Sequence, residues 1–164
     1  EELDRPLLKI LREVTPDTHP VFLVAGEVAL RALRQEIQGK PYFATPDAVT
    51  DYLKFLLGGY PYEVFVVLYL DAANRLIDVQ ELFRGTLTQT SVYPREIVIE
   101  ALKRKSAAVI LAHNHPSGQP TPSRADETLT QVVKAALSLV DIRVLDHLIV
   151  AGNQSVSMAQ IGLM

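Results

Sequence analysis

Three side chains that could bind a metal lie within fourteen positions of the sequence: His113, His115 and Asp126. The histidines follow a short apolar run, residues 107–112, which is typical of a buried strand. Residues two apart on a strand point to the same face, so both imidazoles can reach one ion. Two histidines and one carboxylate leave the fourth position of a tetrahedral zinc for water, as in catalytic zinc sites. The pattern therefore predicts a hydrolytic zinc site.

Asp126 can join the histidines only if the chain turns back after them. Proline and glycine interrupt regular structure over residues 116–122, and a helical pattern resumes at Ser123, so Asp126 falls in the first turn of a helix. Ser123 and Asp126 also resemble an ordinary capping box, and a single histidine at a strand end is more often hydrogen-bonded or exposed than a ligand. The combination favours the metal site, because two polar rings at the edge of a core need a reason to be there.

Composition narrows the class of protein. The chain has 164 residues, 48% of them hydrophobic, which fits one domain with a single core. It has no cysteine, so any metal must use nitrogen and oxygen ligands, and a reducing compartment is compatible. The net charge of -3 offers no electrostatic footprint for nucleic acid, and direct contact with nucleic acid is not expected. The one tight basic cluster, residues 103–105, is interpreted as the cationic end of a helix.

The sequence predicts a soluble, cytoplasmic protein with no membrane contact. No apolar stretch approaches the roughly 20 residues of a transmembrane helix, and the first residues do not resemble a signal peptide. The chain starts at Glu1 and not at methionine, so flanking segments can lie beyond it. A glycine-rich phosphate loop is absent, and nucleotide chemistry is not indicated.

Apolar periodicity predicts helices and strands that alternate around one mixed sheet, an α/β class. Helices are predicted over residues 7–14, over Val24–Ile37, from Pro46 to Leu57 with Thr45 as N-cap, from Pro94, and over residues 129–140. Strands are predicted over residues 63–70 and 75–83 as an antiparallel pair, over 107–112, and over 142–150 and 154–158 joined at Gly152-Asn153.

The motif His113-x-His115 with Ser123-x-x-Asp126 resembles the JAMM (MPN+) signature of zinc-dependent isopeptidases. Residues 94–96, 113–118, 120–123 and 144–147 resemble, more closely, the RadC-like JAB-domain proteins of bacteria, over about residues 47–164. This resemblance implies a cytidine-deaminase-like three-layer α/β sandwich. A JAB/MPN domain would cover residues 46–164, and residues 1–45 would form an N-terminal helical extension.

The resemblance also implies roles for single residues. The two histidines and Asp126 would hold one Zn²⁺, Glu63 would be general base and proton shuttle, and Ser123 would donate to the oxyanion. Without the resemblance, Glu63 reads as an ordinary polar residue at a strand edge, and Glu81, Glu96 and Glu100 are equal candidates for the base. Zinc lowers the pKa of bound water from 15.7 to about 7, which makes hydroxide available at neutral pH.

Two further histidines, His19 and His147, lie outside this motif. His147 lies on a predicted strand, and a hydrogen bond, structural or to a ligand of the metal, is favoured over direct ligation. His19 lies in a predicted loop and is assigned no function.

Two functions from different classes follow. One is a zinc metallopeptidase or isopeptidase acting on a peptide or protein, with a ubiquitin-like partner suggested only by analogy. The other is a non-catalytic JAB-fold module that serves DNA repair or protein assembly. RadC-like proteins commonly carry a helix-hairpin-helix segment, and residues 1–45 show no pattern of that kind, which weakens the link to DNA repair. The apolar N-terminal helix is expected to pack on its own core, with homo-oligomer formation left open.

Overall fold

The computed structural model describes residues 20–85 and 92–164; the helix predicted over residues 7–14, and His19, lie outside these ranges. The described α-helices are α1 (Pro20–Ile37), α2 (Pro46–Leu57), α3 (Pro94–Lys103) and α4 (Arg124–Ser138), and a short 3-10 turn covers Tyr42–Ala44. The described strands are β1 (Val64–Leu70), β2 (Leu76–Arg84), β3 (Ala108–Asn114), β4 (Arg143–Ala151) and β5 (Gln154–Ser157).

The strands form one mixed sheet in the order β2-β1-β3-β4-β5. Strand β1 is antiparallel to both β2 and β3, β3 and β4 are parallel, and β5 returns antiparallel to β4. Helix α4 supplies the crossover that a parallel pair requires. The carboxyl ends of β3 and β4 therefore meet the amino end of β1 at one edge of the sheet. The predicted mixed sheet and antiparallel pair are confirmed.

Helices cover both faces of the sheet, which gives the three layers that the resemblance implied. On one face, α1 and α2 pack against the even-numbered side chains of β1 and β3, such as Val66 and Ile110. On the other face, α3 and α4 pack against the odd-numbered ones, such as Val67 and Leu111. Every residue of β1 and β3 is buried, and each fully buried aliphatic side chain stabilises the fold by about 1.5–3 kcal/mol.

Helix α1 begins at Pro20, earlier than the predicted Val24, and packs Leu30, Leu33 and Ile37 on the core. Its first half exposes apolar side chains, including Phe22. Although α1 spans 18 residues, no helix in the described part of the chain combines the length and apolar character needed to cross a membrane.

Two local predictions concern helix ends. Thr45 is the N-cap of α2 as predicted, but its hydroxyl donates to the Pro41 carbonyl oxygen and makes no capping hydrogen bond to the helix. The basic cluster does lie at the end of α3, where Lys103 and Arg104 both pair with Glu100 one turn back. That position complements the helix dipole, as predicted.

Candidate metal centre

Strand β3 places the two histidines. His113 is 5% exposed, and its ring stacks on Phe65 of β1 at a centroid distance of 6.2 Å. His115 lies one residue beyond the strand, but its backbone N–H donates to the Val150 carbonyl oxygen over 2.8 Å. This bond extends the pairing with β4, so the backbone stays extended and both rings lie on the same face of the sheet.

The start of α4 places Asp126 against the histidines. Ser123 is the N-cap, and its hydroxyl accepts from the Asp126 backbone N–H over 3.2 Å. In return, Asp126 Oδ2 accepts from the Ser123 backbone N–H and hydroxyl, each over 2.7 Å. The predicted capping box is confirmed, and it holds the Asp126 carboxylate in one orientation.

The two histidines and Asp126 converge on one point. His113 Nε2 lies 2.9 Å from His115 Nε2 and 3.1 Å from Asp126 Oδ1, and His115 Nε2 lies 3.4 Å from Asp126 Oδ2. Among the described residues, these three form the group of histidine and acidic side chains whose ligand atoms lie within 4.8 Å of one another. The structure thus brings together the three residues that the sequence pattern singled out.

A hydrogen bond on its other nitrogen determines the tautomer of His115. Its Nδ1 lies 2.8 Å from the Gln119 carbonyl oxygen. A carbonyl can only accept, so Nδ1 carries the hydrogen and Nε2 presents its lone pair to Asp126 and His113.

A buried chain of hydrogen bonds determines the tautomer of His113. The Thr130 hydroxyl donates to the Asp126 carbonyl oxygen over 2.6 Å, so it must accept from His147 Nδ1, which lies 2.6 Å away. His147 is fully buried, and burial keeps its pKa well below the ordinary value of 6.5. A neutral ring with hydrogen on Nδ1 accepts at Nε2, and His113 Nδ1 donates to it over 2.8 Å. His113 therefore also presents an Nε2 lone pair.

The donor set suits a zinc ion. Two imidazole lone pairs 2.9 Å apart cannot hydrogen-bond each other, and a cation between them and the carboxylate satisfies all three groups. Zinc bonds of 2.0–2.1 Å in a tetrahedron separate ligand atoms by about 3.3 Å, so the site fits after an opening of a few tenths of an ångström. Neutral imidazole and carboxylate are also the ligand types that zinc accepts in open catalytic sites.

The candidate ligands also influence one another's affinity for protons. Burial of Asp126 opposes its ionisation, but the close approach of His113, His115 and the Ser123 hydroxyl outweighs burial and holds the pKa of this carboxyl well below its usual range. The hydrogen bond to Asp126 in turn raises the pKa of His115, against the opposing effect of burial. Proton and metal compete for the same lone pairs.

Glu63 immediately precedes β1, at the edge of the sheet where β3 ends. It lines a small pocket with His113, Asp126, Phe65 and Leu129, and its negative charge is one of the influences that raise the pKa of His115. The other candidates for the base lie elsewhere: Glu81 pairs with Arg84 on β2, and Glu96 and Glu100 lie on α3. The geometry selects Glu63 as the glutamate beside the candidate metal site.

Ser123 has a different position from the one that the resemblance implied for an oxyanion donor. Its hydroxyl hydrogen points to Asp126 Oδ2 over 2.7 Å. The observed contacts make Ser123 the residue that orients Asp126. Donation to an oxyanion requires the hydroxyl to rotate away from that carboxylate.

Sequence reasoning gave no role to Thr130 or Asn114. The Thr130 hydroxyl contacts His147, and the Asn114 side chain contacts the backbone on either side of Glu63. Thr130 lies one helical turn after Asp126, at the i+4 spacing that places residues on one face, so the sequence held a signal for it. His147 makes the hydrogen bond to His113 that was favoured over direct ligation. A second pocket, of about 420 Å³, lies beside His115 and is lined by the loops around Gly59, Pro116 and Gly152.

Comparisons with known proteins place this chain among bacterial relatives. The family described as RadC-like JAB domain matches residues 43–163. A UPF0758 protein of Polaromonas sp. (strain JS666) is 57% identical over 157 residues, which cover 96% of this chain and 70% of that protein. A UPF0758 protein of Variovorax paradoxus (strain S110) is 54% identical over 158 residues, with the same two coverages. A UPF0758 protein of Herminiimonas arsenicoxydans is 59% identical over 136 residues, 83% of this chain and 61% of that protein. These names state no activity.

Proposed function

The chain belongs to the RadC-like JAB domain family, and on that basis we propose that it is a zinc-dependent hydrolase that cleaves a peptide or isopeptide amide. The observation that carries the proposal is the convergence of two Nε2 lone pairs and one carboxylate within 4.8 Å, next to a pocket that contains Glu63. A closed structural site would use a fourth protein ligand, and among the described residues the group has three.

The chemistry follows from the residue types. Zinc, when bound, polarises a carbonyl and lowers the pKa of water from 15.7 to about 7. His113 and His115 are neutral ligands and Asp126 carries one negative charge, so the ligand set leaves positive charge for the substrate oxygen. Glu63 takes a proton from the attacking water as the new C–O bond forms, and it passes that proton to the leaving nitrogen as the C–N bond breaks. Ser123, once rotated from Asp126, donates its hydroxyl to the developing oxyanion.

The substrate is proposed only by class. We assign a peptide or protein amide, with a ubiquitin-like protein as one member of that class and with no direct role for nucleic acid. The net charge of -3 supports the last point, since a DNA-binding surface needs clustered positive charge. A link to DNA repair would run through a protein partner. The choice among such substrates depends on the shape of the pocket beside His115, because specificity comes from the groups that line a site and not from the fold.

The decisive experiment measures metal content by plasma mass spectrometry in purified, unchelated protein beside Asp126→Ala. We expect close to one zinc per chain in the parent protein and loss of zinc in the variant. Glu63→Gln should keep the zinc and lose turnover in a screen of peptide and isopeptide amides. Absence of zinc from both proteins under metal-replete conditions would refute the hydrolase and favour the alternative, a non-catalytic module. Normal zinc in a His113→Ala,His115→Ala double variant would refute the site.

A further inference from the structure

Asn114 lies between the two histidines in sequence, and its side chain faces the opposite side of the sheet from their rings. It is 2% exposed, although it is polar. A buried primary amide must find partners for one oxygen and two N–H groups, because an unpaired buried polar group costs about 1–3 kcal/mol. The hydrogen-bond partners of the Asn114 amide indicate a function for this residue.

The Asn114 amide binds the backbone segment that carries Glu63. Its Oδ1 accepts from the Val64 backbone N–H over 2.7 Å. Its Nδ2 donates to the carbonyl oxygen of Tyr62 over 2.9 Å and to that of Tyr60 over 3.4 Å. Backbone N–H groups only donate and carbonyls only accept, so these partners determine which end of the amide is oxygen.

The two shorter bonds are to the peptide groups on either side of Glu63. The Tyr62 carbonyl belongs to the peptide before Glu63, and the Val64 N–H belongs to the peptide after it. Both backbone dihedrals of Glu63 lie between these two groups, so the amide restrains φ and ψ together and thereby the direction of the Cα–Cβ bond. The pairing of β1 with β3 ends at Phe65 and His113, so Asn114 takes the place of the next backbone pair.

We propose that Asn114 is the positioning residue for Glu63: its amide clamps the peptide groups of Tyr62 and Val64 and so aims the glutamate at the metal site. This inference rests on the proposed function, in which Glu63 handles the proton of the attacking water. The three residues of the motif His-Asn-His then have different roles at the end of β3. The outer residues hold the metal on one face, and the middle residue fixes the base through the neighbouring strand.

The clamp has a consequence that ordinary fold stabilisation lacks. Loss of the amide should leave His113, His115 and Asp126 in place, because the hydrogen bonds of their side chains go to groups other than Asn114. Metal content should therefore stay at the parent value. What changes is the carboxylate of Glu63, and a misplacement of about 1 Å near the reacting atoms costs roughly 100-fold in rate.

The test uses cobalt-substituted protein, because the visible absorption of cobalt reports its surroundings without a substrate. The absorption is recorded as a function of pH, and the pH at which its change is half complete, the midpoint, is measured for the parent, Glu63→Gln, Asn114→Ala and the double variant. We expect Asn114→Ala to move the midpoint in the same direction as Glu63→Gln and by at least half as much. The double variant should match Glu63→Gln alone, because the two residues act through one carboxylate.

The outcomes separate the two ideas. A parent-like midpoint in Asn114→Ala, or additive shifts in the double variant, overturns the clamp and leaves the role of Glu63 standing. A parent-like midpoint in Glu63→Gln overturns the proposed role of Glu63 and the clamp with it. If Asn114→Ala does not fold, Asn114→Asp replaces it, since it keeps an oxygen for Val64 but has no N–H for the carbonyls of Tyr60 and Tyr62. The control is Asn153→Ala, an exposed asparagine in the turn before β5, which should leave the midpoint unchanged.

Discussion

Thr130→Val tests whether the buried hydrogen-bond chain prepares His113 for metal. Valine keeps the branched shape of threonine but removes the hydroxyl that accepts from His147 Nδ1 over 2.6 Å. With no acceptor at Nδ1, the His147 hydrogen moves to Nε2, where it donates to His113 Nδ1. The hydrogen of His113 then moves to Nε2, the atom that faces His115 and Asp126. His113 loses the lone pair that a metal needs.

The size of the effect follows from the alternative that zinc imposes. Metal binding must restore the original tautomers, and it then leaves the buried Nδ1–H of His147 without a partner. An unsatisfied buried donor costs about 1–3 kcal/mol, which converts to roughly a 5- to 150-fold loss of zinc affinity at about 1.36 kcal/mol per factor of ten. Removal of a hydrogen-bond partner of a metal ligand typically costs about 10–100-fold, in the same range.

The assay is zinc affinity by competition with a chelator, together with ¹⁵N spectra of the histidine rings in metal-free protein. The matched control is Thr128→Val in the same helix, which removes the equivalent bond to the Arg124 carbonyl oxygen but touches no histidine. We expect weaker zinc binding and an Nε2-protonated His113 in Thr130→Val alone. A zinc affinity within twofold of the parent, equal to that of Thr128→Val, would refute the tautomer argument.

Three more outcomes can be checked. Ser123→Ala should lower the free energy of unfolding by about 0.5–2 kcal/mol, because the N-cap hydroxyl is lost. It should also weaken zinc binding, because Asp126 loses the hydroxyl that orients it, and an unchanged zinc affinity in calorimetry would contradict this. Zinc affinity should decline as pH falls, because protons compete for the ligand atoms. The pKa of His115 is raised above 6.5, so the decline should begin above that pH. Calorimetric titrations in buffers of different ionisation enthalpy should show proton release on zinc binding near neutrality, and a lack of proton release would argue against the site. Tyr42→Phe removes one hydrogen bond to the buried Asp146 carboxylate and should lower the free energy of unfolding in urea by about 1.5–3 kcal/mol. Zinc content should be unchanged, because Asp146 faces away from the metal site, and loss of zinc would contradict that separation.

Local patterns were enough to predict most elements. The antiparallel pair β1–β2, the helix after Pro94 and the capped start of α4 each depend on residues close together in sequence, where periodicity and turn chemistry act. Thr45 shows the limit of such rules. It is the N-cap of α2 as predicted, but its hydroxyl donates to the Pro41 carbonyl oxygen just before the 3-10 turn, and the cap pattern does not reveal that competing partner.

The sequence by itself determined the ligand chemistry: two histidines at strand spacing, a carboxylate in the first helical turn, and no thiolate. The family resemblance pointed to Glu63, but local patterns alone left four glutamates as equal candidates, and the tertiary structure places Glu63 beside the ligands. Only the tertiary structure decided which nitrogen of each histidine carries hydrogen. The reason is that these choices depend on hydrogen bonds across strands. His113 and His147 are 34 residues apart, and Val64 and Asn114 are 50 residues apart. The types of the ligands can be predicted from residues close together in sequence. The orientation of each side chain depends on hydrogen-bond partners that the chain brings together only when the sheet forms.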